Sequence, residues 1–142
     1  MRMSSKLRHL GLGLSVALGL GCAAGVSQAA GYNDGILAAE SGNYQEAAAQ
    51  WAPLAKQGDA DAQFNLALLY HSGSGVKLDE ARAVQLYQLS AGNGNFYAQQ
   101  FLTVAYQEGW FGLPKDEKKA DYWRKQMENN RKAAAGDSGA GY

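Results

Sequence analysis

The chain has 142 residues, with 13 basic and 13 acidic side chains and one cysteine. That is one domain's length. It lacks the basic stripe that nucleic-acid binding requires and the cysteines of a disulfide framework.

In chain order, the first segment stands apart from the rest. Met1 to His9 carries Arg2, Lys6 and Arg8 and no acid, and Leu10 to Val26 is apolar and small. Ser27-Gln28-Ala29 then offers small residues at −3 and −1 for cleavage before Ala30. This is the layout of a secretory signal peptide, residues 1–29, and the mature chain is expected in the periplasm or secreted. Two rival readings fit less well. A permanent membrane helix needs a longer apolar run with a charged stop behind it. A lipoprotein acylated at Cys22 needs a large apolar residue three places upstream, where Gly19-Leu20-Gly21 stands. Cleavage removes three bases and the cysteine, leaving ten bases against 13 acids, a net charge of −3. No stable membrane insertion is expected after cleavage, and no disulfide is possible.

The remainder reads as helices punctuated by glycine, with no alternating strand pattern. Asn33 or Asp34 is placed to cap a short helix through Ser41, because a side-chain oxygen there satisfies free backbone N–H groups. Gly42-Asn43 turns the chain into a second helix, Tyr44 to Gln57, whose Ala47, Trp51, Leu54 and Ala55 share one stripe. Pro53 inside it removes a hydrogen bond and is expected to bend it without splitting it. Gly58 ends that helix, and Asp59 or Asp61 caps the third, Ala60 to Ser72. Asp79 opens the fourth, to about Ala91; Asn95 to Glu108 makes the fifth; Asp116 opens the sixth, to around Lys132. The expectation is an all-α domain over residues 30–132, three helical hairpins with short connections. The Ala- and Gly-rich tail, 133–142, is expected to be disordered.

The hairpins repeat. At a shift of 36 positions, Trp51, Ala55, Gly58, Ala62, Leu66, Tyr70 and Gly73 fall on Tyr87, Ala91, Gly94, Ala98, Leu102, Tyr106 and Gly109. One residue is then inserted, and Gly75, Val76, Asp79 and Ala83 fall on Gly112, Leu113, Asp116 and Ala120. Such a period marks a stacked array of helical hairpins. Ala62, Ala83, Ala98 and Ala120 are the expected close-approach points between helix axes. Leu66, Tyr70, Leu86, Tyr87, Leu102, Tyr106 and Trp123 are the expected wedges that fill the grooves beside them.

The pattern Ala62-x3-Leu66-x3-Tyr70-x2-Gly73-x-Gly75-Val76-x2-Asp79-x3-Ala83-x2-Leu86-Tyr87-x3-Ala91 resembles the Sel1-like repeat, a relative of the tetratricopeptide repeat with a longer glycine-containing loop. The copy from Ala98 to Trp123 matches again, departing where Arg124 stands in place of Tyr87. The first hairpin lacks the long loop and looks like an ordinary tetratricopeptide turn. The resemblance implies a right-handed α-α superhelix that acts as an adaptor between proteins, its exported bacterial members serving envelope complexes. It also implies that the first helix of each hairpin lines the concave side. Asp61, Phe64, Leu68 and His71 then face the groove from the middle hairpin, and Tyr97, Gln100, Val104 and Gln107 from the last. A groove mixing apolar and amide side chains suits an extended peptide or a partner helix. The bland alternative is that Phe64 and Leu68 merely complete the core between helices.

Chemistry is sparse by comparison. His71 is the one histidine left after processing, and a zinc site needs three or four convergent ligands. No cofactor loop or Ser–His–Asp set stands out, so no catalytic, metal or cofactor residue is assigned. The rival function is a hydrolase or penicillin-binding type enzyme using Ser74 and Lys77, which share the Ser-x-x-Lys spacing. Ser74 lies between two glycines, a poor place for a nucleophile that must be held rigidly. Residues 115–132 hold seven bases against four acids, read either as an anion-contacting surface or as the solvated face of a terminal helix. A monomeric protein with a protein or peptide partner is the resulting expectation.

Overall fold

The computed structural model describes residues 20–136. Six helices follow one another: α1 (Leu20–Glu40), α2 (Tyr44–Lys56), α3 (Ala60–Ser72), α4 (Glu80–Gly92), α5 (Phe96–Glu108) and α6 (Glu117–Gly136). Each helix packs against the next in sequence, so three hairpins stack in chain order into an α-α superhelix. The described residues contain no strand.

The helix starts are set by short polar side chains. Asn43, Asp59, Asp79, Asn95 and Asp116 each accept a hydrogen bond from the backbone N–H three residues on, at 2.7–3.4 Å. Asp59, not Asp61, caps α3. Two boundaries differ from the sequence expectation. Asn33 and Asp34 do not cap α1; they lie exposed within it, because the Ala-containing stretch before them has nothing strong enough to stop a helix. At the other end α6 continues through Ala133-Ala134-Ala135, the best helix formers, to Gly136. Met1 to Gly19, which hold most of the expected signal segment, and tail residues 137–142 lie outside the described residues.

The core has two lobes. One joins Ala47, Trp51, Leu54 and Ala55 of α2 to Ala62, Leu66 and Leu69 of α3. The other joins Ala67, Ala83, Tyr87 and Ala91 to Ala98, Leu102, Tyr106 and Ala120. Tyr70 and Leu86 pack against both, which ties the lobes into one array. The four close-approach alanines are all buried, as are Leu66, Tyr87, Leu102 and Tyr106. Repeat equivalence extends to contacts: Arg82 lies over the Tyr70 ring at 4.9 Å, and Lys119 over Tyr106 at 5.2 Å.

Polar groups reinforce the stack from inside. Buried Gln63 donates from Nε2 to the Ala55 carbonyl at 2.9 Å, and buried Gln99 donates to the Ala91 carbonyl at the same distance. These are equivalent residues, each satisfying a carbonyl near the C-terminal end of the preceding helix, where intrahelical donors run out. Two glycines permit contacts that a side chain would block. At Gly35, buried in α1, a Cβ would lie 2.2 Å from Nε1 of Trp51, whose indole N–H donates to the Tyr32 carbonyl at 3.2 Å. At Gly75, in the loop after α3, a Cβ would lie 2.3 Å from the Tyr44 carbonyl carbon. The long loop of the second hairpin thus presses directly on the backbone of the first.

Candidate functional site

The stack leaves a cavity of about 360 Å³ between α3 and α5. Helical spacing builds its walls: Phe64 and Leu68 stand one turn apart on α3, and Tyr97, Gln100, Phe101 and Val104 share one face of α5. Tyr87 of α4 and Trp110, just past α5, complete it. The rings form a connected set. Tyr87 stacks on Phe101 at 3.9 Å between centroids; Phe64 lies 5.8 Å from Tyr87 and 5.9 Å from Tyr97. Phe111 stacks on Phe101 at 5.5 Å, and Trp110 meets Phe111 edge-on at 6.2 Å. Such offset and edge-to-face pairs fix ring positions beyond what area burial alone provides.

Part of this surface is open to solvent. Tyr97 is 63% exposed, Trp110 45% and Leu68 44%, although all three are large and apolar. Contiguous exposure of this kind is uncommon away from binding surfaces. The lining contains no carboxylate, imidazole, lysine or thiol. Its one deeply buried titratable group is Tyr87, whose phenol is pushed well above the ordinary tyrosine value by burial. The cavity is therefore equipped to bind apolar groups rather than to transfer protons.

Of the eight residues expected to face the groove, Phe64, Leu68, Tyr97, Gln100 and Val104 line this cavity together. Asp61 lines an adjoining one, about 250 Å³, with Tyr32, Phe64, Asn65, Asn95 and Tyr97. His71 does not line it. It is half-buried, with Nδ1 at 3.1 Å from the Tyr87 hydroxyl and its ring against Phe111 at 4.3 Å. Gln107 is half-buried and also stands apart from the lining. Phe64 fills both roles considered for it, since it packs on the second core lobe and also walls the groove.

Sequence reasoning passed over Phe101, Trp110 and the groove-facing side of Tyr87. A usable signal existed for Phe101, which follows Tyr97 at i+4 on a face already assigned to the groove. Trp110 sits beyond a helix end, where periodicity carries no information.

Other chemistry is not assembled nearby. Among the described residues no group of three or more His, Cys, Asp or Glu side chains is placed to hold a metal. The Ser74 hydroxyl accepts a hydrogen bond from Ser72 at 2.8 Å, and Lys77 is exposed on the loop beyond it. A third concave cavity, about 270 Å³, lies toward the first hairpin and shares Leu68 with the main one. In α6 the cations face solvent, and several are paired with neighbouring acids: Lys119 with Asp116, Arg124 with Glu117 and Asp121, Lys132 with Glu128. No helix among the described residues is long and apolar enough to cross a membrane.

Comparison with known proteins agrees with this architecture. The Sel1 repeat matches residues 60–95 and 97–123, the second and third hairpins. A Sel1 repeat protein from Oxalobacter formigenes superposes with a TM-score of 0.66 at 28% identity, over 72% of this chain and 44% of that one. The protective antigen c5321 of uropathogenic Escherichia coli, which displays an SLR fold, superposes at 0.64 with 30% identity, over 72% of this chain and 22% of that one. The chain thus spans less than half the length of either solved structure. No curated protein matches it. Proteins of this repeat class generally mediate protein–protein interaction. With two matched repeats, the equivalent buried Gln63 and Gln99 and the stacked hairpins in agreement, the chain carries two Sel1-like repeats and shares the fold of Sel1 repeat proteins.

Proposed function

We propose that the protein is an exported adaptor of the cell envelope, periplasmic or secreted, that holds a partner polypeptide along its concave groove without catalysing a reaction. The observation that carries this reading is the aromatic cavity between α3 and α5. It combines exposed Tyr97, Trp110 and Leu68 with a lining whose ionisable groups are the Tyr87 and Tyr97 phenols, with no carboxylate, imidazole, lysine or thiol. Aromatic side chains supply a large share of interface energy, and an apolar groove a few residues long matches a peptide strand or a helix face. Export is supported by the basic start, the apolar run and the Ala29–Ala30 junction. The packing residues of α1 in the first core lobe, Tyr32, Ile36, Ala38 and Ala39, all follow that junction, so processing there keeps these four contacts.

The test is affinity purification from the native envelope, followed by titration of the recovered partner against variants. Phe64→Ala and Tyr97→Ala are each expected to weaken binding about tenfold or more, the effect of removing a hot-spot ring worth about 2 kcal/mol. Charge reversal at Lys118 and Lys119, exposed on α6, is expected to change it little. Normal binding by both groove variants, with loss in the lysine variant, overturns the groove reading and transfers the contact to α6.

A further inference from the structure

The concave helices are unusual in charge. Over their full lengths α1, α3 and α5 contain no lysine or arginine, while they carry Asp34, Glu40, Asp61 and Glu108. Every lysine and arginine between residues 20 and 136 lies on α2, α4, α6 or a connecting loop. A polypeptide laid along this face meets aromatic rings and carboxylates and no cation from the helices beneath it. The field there favours positive charge, and a groove with low-dielectric walls concentrates that preference.

One cavity converts the general preference into a site. Beside the apolar groove, about 250 Å³ is enclosed by Tyr32 of α1, Asp61 and Phe64 of α3, and Asn95 and Tyr97 at the start of α5. Asp61 is exposed but oriented: buried Asn95 donates from Nδ2 to its Oδ1 at 2.7 Å, and the same Asn95 caps α5 through Oδ1 to the Ala98 N–H at 2.8 Å. Across the cavity Asn65 donates to the Tyr32 hydroxyl at 3.2 Å, fixing that ring. An anion held rigidly among three aromatic rings is the environment that recognises an ammonium or guanidinium, by charge-assisted hydrogen bonding and by attraction to ring faces. Burial is the main cause that raises the Tyr32 phenol above its ordinary value; the Asn65 hydrogen bond opposes it, and the Asp61 and Asp59 carboxylates add to it.

We propose that this cavity seats a lysine or arginine side chain of the bound polypeptide, with Asp61 as counter-charge and Tyr32, Phe64 and Tyr97 as aromatic walls. The proposal rests on the groove reading above and specifies the partner's chemistry. Phe64 and Tyr97 belong to both cavities, so a single ring pair divides the cation seat from the apolar groove. In an extended peptide, side chains on one face recur every second residue, about 6–7 Å apart. The recognised segment therefore carries a base two positions from a large apolar residue.

The experiment is a selection from a random peptide display library on the purified protein. The best peptide, fluorescently labelled, is then titrated at low and high salt. Selected sequences are expected to pair Lys or Arg with Phe, Trp or Leu at that spacing. Asp61→Asn, which keeps an oxygen for Asn95, is expected to weaken binding about tenfold and to flatten its salt dependence. Replacing the peptide's base with norleucine is expected to cost the same factor in the native protein and nothing further in Asp61→Asn. Trp110→Ala, which alters the apolar groove and leaves the residues of the cation seat in place, serves as the separate control. Peptides without a base, acidic peptides, no binders, or undiminished binding by Asp61→Asn overturn the cation seat. Where peptides still bind and Trp110→Ala and Phe64→Ala weaken that binding, the groove reading survives; if neither does, or if no peptide binds, the groove reading falls as well.

Discussion

Gly75 and Gly112 occupy the same place in successive repeats, yet their surroundings differ in a way that isolates what holds the hairpins together. Both have left-handed backbone, with φ of +70° and +72°. An L-residue there costs about 1–2 kcal/mol at either position. A Cβ at Gly112 meets nothing within 4 Å. A Cβ at Gly75 lies 2.3 Å from the Tyr44 carbonyl carbon, 2.4 Å from the Gln45 nitrogen and 2.6 Å from the Tyr44 oxygen. These are backbone atoms at the start of α2 and cannot swing aside as a side chain would. Relieving the overlap requires the first hairpin to move off the second, and overpacking of this kind typically adds about 1–3 kcal/mol.

Gly112→Ala is therefore expected to lower stability by about 1–2 kcal/mol and Gly75→Ala by about 2–5 kcal/mol. Urea unfolding at 25 °C measures both, and thermal unfolding gives a second reading at roughly 4–8 °C per kcal/mol for a domain of this size. Hydrogen exchange locates the damage: amides of α1 and α2 should exchange faster in Gly75→Ala, because a hairpin array opens in units. Equal losses in the two variants refute the argument. They would mean that the loop contact with Tyr44 and Gln45 contributes nothing to docking the first hairpin.

Tyr87 gives a prediction in pH. Burial raises its folded-state value above that of the unfolded chain, about 10, so the stability it contributes is complete below pH 10 and is lost as pH rises above it. Native protein is expected to lose on the order of 1 kcal/mol more per pH unit above 10 than Tyr87→Phe does, and parallel curves for the two would contradict this. Processing is the other test: mass spectrometry of the protein recovered from its native host is expected to find Ala30 as the first residue. An intact Met1 or a lipid on Cys22 would remove the export proposal or recast it.

The fold was largely legible because its signals are local. Asp59, Asp79, Asn95 and Asp116 announce helix starts through bonds that span three residues, and Ala62 or Leu102 declare burial by their place in a 36-residue period. What escaped depends on distant partners. Gln63 and Gln99 carry no local sign of burial; what holds them inside is the carbonyls of Ala55 and Ala91. Gly35 has no local marker either, and its lack of a side chain is what admits the Trp51 indole. The groove was half legible for the same reason. Phe64, Leu68, Tyr97, Gln100 and Val104 follow from helical spacing, but Tyr87 serves the core and the groove at once. His71, assigned to the groove by the same spacing, is instead held against Phe111 by a loop that no periodicity positions.

That loop explains how so short an array keeps a shaped cavity. Phe111 has φ of +56° and is the one described non-glycine residue with a positive value. For a bulky side chain this conformation is strained, and it persists only where surrounding contacts over-determine it. Here they do: His71 meets the Phe111 ring at 4.3 Å, Phe101 stacks on it at 5.5 Å, and Tyr87 stacks on Phe101 at 3.9 Å. The turn that strains Phe111 also places Trp110 on the groove wall. The second hairpin contributes His71 and Tyr87 to this set, and the third contributes Phe101 and Phe111. Neither hairpin alone can fix Trp110, and the first hairpin is needed to cover the Leu66 and Leu69 side of α3. The groove's walls thus belong to the second and third hairpins as a pair and not to either one.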